Sequence, residues 1–497
     1  MSAATRLTIE RGDAVGDLGR RIDLEISGAW LVDPVAGRSG PADLVISGGV
    51  VESVVWLVGD DAAGIDDRGI VVAPGFLDLH AHLREPGGTA AETIASGLAA
   101  AAHGGFTAVC AMPNTTPPID RSAMVLTAAR AAADSGSPVR LLQYGAITAG
   151  RAGEQLAPLG ELADAGVIGF SDDGSPVQDA ALFRNALAYA AMLGLPVVDH
   201  PEDLRLTTGA EASEGLVATV LGLKGWPAAA EAEAVARDIA LLADVVRDTP
   251  AARLHLTHLS TAGSLAHVRA AKAAGLPVTC DVTPHHLALT DEWLAGSRRW
   301  AWDALESDGA PRDPWRDGAN VAAPYDTSLR VNPPLRSATD ARACLAALAD
   351  GTVDAIATDH APHTEVDKSV EFGAASPGIA GIETALGLLL EAVEAGLVPL
   401  ARVIEALTIG PARVLGRDVA SGAAGTRRES APPASAQIVE GATADLVVFD
   451  RSVRWRVGPE TLRTKGFGHP LAGRTLPGEV LLTVAVGRVA YEAPAAD

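Results

Sequence analysis

Apolar residues along this chain fall into two alternating patterns. From about residue 70, short runs that are apolar at nearly every position alternate with longer, Ala-rich, helix-favouring stretches. The short runs lie near 70–79, 106–112, 139–147, 167–172, 196–200, 253–258, 277–283 and 353–359. The longer stretches include 92–102, 121–133, 155–165, 179–193, 229–246 and 264–274. Continuously apolar strands are those covered on both faces, and helix-length connections join parallel neighbours. Eight repeats predict a closed (β/α)8 barrel of TIM type, whose active site would gather at the C-terminal ends of the strands.

The flanks differ. Residues 22–72 and 440–492 show short alternating strand patterns broken by Gly, which predicts one small β-sandwich domain built from both ends of the chain around a barrel of residues 73–415. Residues 416–439 are rich in Ala, Ser, Pro and Gly and read as a flexible insertion or linker. Residues 296–329 interrupt the alternation before the last strand and carry Trp300, Trp302 and Trp315, as a lid, a surface elaboration or a subunit contact would.

The candidate chemistry sits where barrel strands end. His80 and His82 follow an apolar run, and residues two apart in a strand face the same way. Two adjacent imidazoles are how one element gives two nitrogen ligands to a metal. Four further runs end in metal-type ligands: Asp172 and Asp173, then His200, then His258, then Asp359 with His360 and His363 behind it. Buried polar groups without partners cost stability, so their recurrence at strand ends points to a shared centre. Asp173 is preferred over Asp172, whose side chain faces the other way in an extended backbone. Asp78 faces the same way as the histidine pair, while His285 and His286 read as hydrogen-bonded framework.

A formal net charge of −23 argues against nucleic acid or acidic lipid as a partner through a broad basic surface. No stretch offers ~18 consecutive apolar residues, so no membrane span is expected. Cys110, Cys280 and Cys344 lack paired spacing, which fits buried thiols in a reducing, cytoplasmic setting. Lysines are scarce: Lys224, Lys272, Lys368 and Lys465 are all there are.

Six segments carry a closer likeness. They are residues 80–87 (His-Ala-His-Leu-Arg-Glu-Pro-Gly), 104–115 (ending Met-Pro-Asn-Thr), 170–174 (Phe-Ser-Asp-Asp-Gly), 282–287 (Val-Thr-Pro-His-His-Leu), 331–336 (Val-Asn-Pro-Pro-Leu-Arg) and 357–364 (Ala-Thr-Asp-His-Ala-Pro-His-Thr). Together they resemble class I dihydroorotases of the amidohydrolase superfamily. The resemblance implies reversible cyclisation of N-carbamoyl-L-aspartate to L-dihydroorotate in pyrimidine synthesis, by a metal-activated hydroxide with Asp359 shuttling the proton. It implies one or two Zn2+, two favoured: His80, His82 and Asp359 on one, His200 and His258 on the other, Asp173 between them. Substrate contacts would come from Arg84, Asn114, Asn332 and His363, and from the backbone at Pro377 and Gly378. That last segment departs from the family pattern, since Ser376-Pro377-Gly378 stands where Pro-Phe-Gly is usual.

Relatives that use a carboxylated lysine at the end of strand 4 cannot be matched here, because no lysine precedes Lys224. The resemblance also implies a homo-oligomer, a dimer favoured, and leaves open a complex with aspartate carbamoyltransferase. The alternatives are another cyclic-amide hydrolase of allantoinase or hydantoinase type, and a non-catalytic scaffold for aspartate carbamoyltransferase.

Overall fold

The computed structural model describes residues 6–9, 19–303, 312–416 and 437–494. The proposed linker at 416–439 lies almost wholly outside these residues.

Eight parallel segments, strands 1 to 8 in chain order, close into a ring. Phe76–Ala81 pairs with Phe106–Ala111, and that strand with Arg140–Gln143. Val197–Asp199, Leu254–Leu256, Val278–Val282 and Ala355–Ile356 form a second parallel series. Phe170 bridges the two series through Gly145 and Val197, so the run 167–172 contributes a single bridged position rather than a full strand. The ring shuts where Ala81 bridges His360 and the His82 N–H donates to the His360 carbonyl at 2.8 Å. Phe76–Ala81 and Phe106–Ala111 are buried at every position, which explains their unbroken apolar pattern. The helices lie within a few residues of the predicted stretches, as in Ala180–Met192, capped by the Asp179 carboxylate, and Ala262–Ala273, capped by the Thr261 hydroxyl.

Both ends of the chain share one sheet, in the order Arg488–Glu492, Thr475–Ala485, Leu446–Arg456, Ile70–Pro74, Leu24–Asp33, Arg38–Ser47, Val50–Trp56. Bulges near Ala29, Phe449 and Val484 bend it. Each edge strand folds back on the chain leading into an interior strand, with Val50 bridging Thr443 and Arg488 bridging Arg21. A core of Ile22, Ile26, Leu44, Val448, Leu482 and Val484 fills the sandwich so formed.

The apolar run 70–79 divides between the two sheets. Ala73 and Pro74, assigned by pattern to the barrel, pair instead with Val447 and Leu446. The change comes at Gly75, where a Cβ would meet the Thr107 side chain at 2.3 Å. Hydrophobic periodicity cannot register a change of sheet inside one apolar run.

The described part of the 296–329 insertion is anchored in the core at one end, while Trp315, Val321 and Tyr325 are exposed. Trp300 is buried and stacks on Trp302 at 5.7 Å, Arg474 covers its ring, and the buried Arg312 pairs with Glu292 at 2.6 Å. All three cysteines are buried thiols.

Candidate metal centre

Six side chains converge at the C-terminal mouth of the barrel. His82 Nε2 lies 3.2 Å from His80 Nε2 and 3.0 Å from Asp359 Oδ1. Asp173 Oδ1 lies 3.4 Å from His80 Nε2, 3.3 Å from His200 Nδ1 and 3.6 Å from His258 Nε2, while its Oδ2 is 3.6 Å from His82 Nε2. Ligands about 2.0–2.1 Å from one tetrahedral ion stand ~3.3 Å apart, so this spacing suits shared cations. Ligand atoms of His80, His82 and Asp359, and of His80, Asp173 and His258, each fall within 4.8 Å of one another. His200 and His258 share Asp173 Oδ1 as a common neighbour at 3.3 and 3.6 Å, and His200 itself belongs to neither group.

Surrounding hydrogen bonds fix which imidazole nitrogens are bare. The Thr257 hydroxyl donates to Asp281 Oδ2 at 2.9 Å, so at 2.8 Å it must accept from His80 Nδ1–H. That leaves His80 Nε2 as a lone pair. Asn114 Oδ1 accepts from His82 Nδ1–H at 2.9 Å, and Glu202 Oε2 accepts from His200 Nε2–H at 2.8 Å. Three nitrogen lone pairs therefore face two carboxylates in a site at most 6 % exposed. Asp173 Oδ1, His200 Nδ1 and both His258 ring nitrogens have no hydrogen-bond partner. Lone pairs so crowded repel unless a cation or proton lies between them, and divalent ions would satisfy the nitrogens and oxygens that face one another.

Electrostatics agree. Burial opposes an imidazolium at His80, yet Asp173 and Asp359 outweigh it and push its pKa up to about 9. Burial likewise opposes His200, but Asp173 and Glu202 raise it to about 10. Asp173 and Asp359 are held well below the usual carboxylate range, because the histidines overcome their desolvation. Without metal, protons take the cation's place. His80 and His200 have folded pKa values above 6.5, so their stabilisation is complete below pH 6.5 and is lost as pH rises through 9 to 10. Chelator-stripped protein should therefore show a falling Tm from about pH 6.5 to about 10, with a shallower fall in His200→Gln. Equal slopes for parent and variant would reject this account.

The two aspartates divide as their alternation predicts. Asp172 accepts the Ile147 and Thr148 N–H groups at 2.8 and 3.1 Å and the Thr148 hydroxyl, and burial pushes it up to about 6. It braces the strand-3 loop while Asp173 faces the histidines. Asp78 accepts from Thr358 and the His80 N–H, tying strand 8 to strand 1. His286 is framework, bonded to Thr283 and the Pro333 carbonyl. His285 departs from expectation. Its Nε2 is buried without a partner, facing a hollow lined by Thr358, Ile379 and His469. His285 stands in the short helix Pro284–Ala288, just past the end of strand Val278–Val282, where the sequence pattern does not say whether a partner waits.

Arg84 donates through Nε to the Pro362 carbonyl at 3.0 Å, and its Nη2 is 3.2 Å from His363 Nε2. His363 Nε2 is also 2.8 Å from the Pro377 carbonyl. Asn114 reaches the site through His82. Asn332 reaches it through Glu202, to which it donates at 3.2 Å. Gly378 donates to the Arg330 carbonyl and accepts from Lys368 Nζ, both at 2.8 Å, so its backbone is engaged inside the loop. Arg84, His258 and Asp359 all have positive φ (58°, 41° and 47°), a costly backbone for non-glycine residues that clusters at functional sites.

Three residues given no role by the sequence also serve the site. Glu202 orients His200, and its place two residues after His200 was the available signal. Thr257 sets the His80 tautomer. Arg151, with φ 54°, donates to the Asp173 carbonyl and to Ser175 Oγ.

A family model described as "Dihydro-orotase-like" matches residues 69–263. Among curated proteins, a dihydroorotase of Anaeromyxobacter dehalogenans is 46% identical over 95% of this chain and 99% of its own length. One of Pelotomaculum thermopropionicum is 43% identical over 94% and 98%. Of solved structures, L-hydantoinase from Arthrobacter aurescens aligns with TM-score 0.72 at 22% identity, covering 94% of this chain and 95% of its own. Dihydropyrimidinase from Brevibacillus agri aligns at 0.67 and 19%, covering 94% of each. At such identities the two structures speak for the fold alone, a (β/α)8 barrel with a β-sandwich.

Proposed function

The chain belongs to the dihydroorotase family, and on that footing we propose that the six converging side chains hold zinc and run the reversible cyclisation of N-carbamoyl-L-aspartate to L-dihydroorotate. The activity follows from relatives at 40–46% identity over about 95% of the chain. One observation carries the residue assignment: bare nitrogens and carboxylate oxygens stand 3.0–3.6 Å apart in a buried site.

His80, His82 and Asp359 would hold one ion, His200 and His258 a second, and the two oxygens of Asp173 would reach both. Zinc, when bound, supplies Lewis acidity that brings a water near neutral pKa and polarises a carbonyl. The remaining work falls to the chain. In ring opening, the Asp359 carboxylate takes the proton of the attacking water and hands it to the departing ring nitrogen. Ring closure runs the same transfer backwards. Thr257, Asn114 and Glu202 keep the imidazoles in the ligating tautomer.

Arg84 grips the substrate carboxylate that takes no part in the reaction. Its Nε is committed to Pro362, so the two Nη groups form the paired hydrogen bonds that lysine cannot copy. His363, Asn114 and Asn332 complete the pocket; the Pro377 and Gly378 backbone groups, expected to meet the substrate, are instead taken up by His363, Arg330 and Lys368. As part of the same proposal the enzyme is a cytoplasmic homo-oligomer. Among the described residues no helix is long and apolar enough to cross a membrane.

Arg84→Ala tests the grip. A hydrogen bond to a charged group contributes ~1.5–3 kcal/mol, so kcat/KM for dihydroorotate should fall by about 10- to 100-fold. Dihydrouracil, which lacks the carboxylate, should change little. An unchanged ratio of the two substrates would reject the grip and favour a hydantoinase-like specificity.

A further inference from the structure

Residues 463–467 come from the strand-rich C-terminal part, yet they lie at the rim of the barrel mouth in a cradle of two carboxylates. Glu383, 4 % exposed, accepts the Arg463 and Thr464 N–H groups at 2.7 and 3.0 Å. Glu92, fully buried, accepts the Thr464 hydroxyl at 2.6 Å and the Lys465 N–H at 3.4 Å. The Gly466 N–H turns back to Thr464 Oγ1 at 3.1 Å, and Lys465 Nζ donates to the Thr89 carbonyl. Phe467 N–H then donates to the His363 carbonyl at 2.8 Å. Buried carboxylates persist only where donors meet them, so barrel and segment are built for each other.

The contact that matters lies at Gly466. A Cβ there would stand 2.9 Å from the Pro362 and Ala380 Cβ atoms and 3.3 Å from Pro362 Cα. The segment therefore rests directly on Pro362, whose carbonyl holds Arg84 Nε. Glu92 also meets His360 Nε2 at 3.4 Å, which joins the same strand-8 loop to the cradle from its other end.

We propose that residues 463–467 form a strap that positions Pro362 and His363, and through them the Arg84 guanidinium, so that Gly466 and Thr464 are positioning residues for carboxylate selectivity. The proposal rests on the reading of Arg84 as the carboxylate grip. A strap borne by the sandwich lets that domain supply a wall of the substrate pocket. A small displacement of a binding group suffices to change a rate or affinity markedly.

Gly466→Ala in the full-length, zinc-loaded enzyme should raise KM for dihydroorotate about ten-fold, with kcat, zinc content and dihydrouracil hydrolysis nearly unchanged. Thr464→Val should act in the same direction, and Thr464→Ser should restore the parent KM. Arg84→Ala is measured alongside. If it shifts the ratio of the two substrates but Gly466→Ala and Thr464→Val leave that ratio unmoved, or slow both substrates equally, the strap is rejected and the grip stands. If Arg84→Ala itself leaves the ratio unmoved, the grip is rejected, and the strap with it. Should Gly466→Ala fail to fold, the Thr464 pair decides by the same ratio.

Discussion

Asp359→Asn should lower turnover of dihydroorotate in both directions by ~10²–10⁴-fold, the range of a general acid–base contribution, while leaving the barrel folded. Asparagine has nearly the same shape as aspartate and tolerates the left-handed backbone that residue 359 adopts at φ 47°. The substitution thus removes the proton carrier without adding strain, where alanine would confound the two. It also replaces a carboxylate ligand by a neutral amide, so the assay is run at saturating zinc with metal content measured in parallel. If the Asp359→Asn enzyme kept full metal, an unchanged Tm and a kcat within about ten-fold of the parent, Asp359 would be removed from the chemistry.

Stripping the protein with a chelator should abolish activity, and zinc added in bicarbonate-free buffer should restore it. The expectation follows from where the four lysines sit. Lys224 Nζ donates to the Thr208 carbonyl, Lys272 pairs with Asp354, Lys465 reaches Thr89, and Lys368 is held by the carbonyls of Thr327, Arg330 and Gly378. None is at the histidine cluster, where Asp173 already offers a carboxylate that needs no carbon dioxide to form. Stripping and reloading are compared at one fixed pH, because His80 and His200 must release protons to ligate and affinity falls as pH drops. Recovery that depends on bicarbonate would displace Asp173 from the bridging role.

Much of the site was legible because it depends on short-range geometry. The two-residue period of a strand puts His80 beside His82 and sends Asp172 and Asp173 to opposite sides, and both hold in the fold. Helices could be read for the same reason, since they depend on residues three or four apart. The Arg84, Asn114 and His363 positions were legible only through resemblance. Nothing in local pattern says that Arg84 lies beside Pro362, 278 residues away.

By itself, then, the sequence determined the alternation of strand-like and helical segments, the faces they bury, and the ligand types at their ends, since these follow from local periodicity and burial. Tertiary structure alone decided which of those ends meet. Closure of Ala81 on His360 brings His82 to Asp359, the turn at Gly75 passes the chain from sandwich to barrel, and Thr257 and Glu202 select the imidazole tautomers. It also decided that the segment after Arg463 would lean on the strand-8 loop. The physical reason is separation: a contact such as Thr464 to Glu92 joins residues 372 apart. Its partners are chosen by how two buried carboxylates find donors once the whole chain has packed.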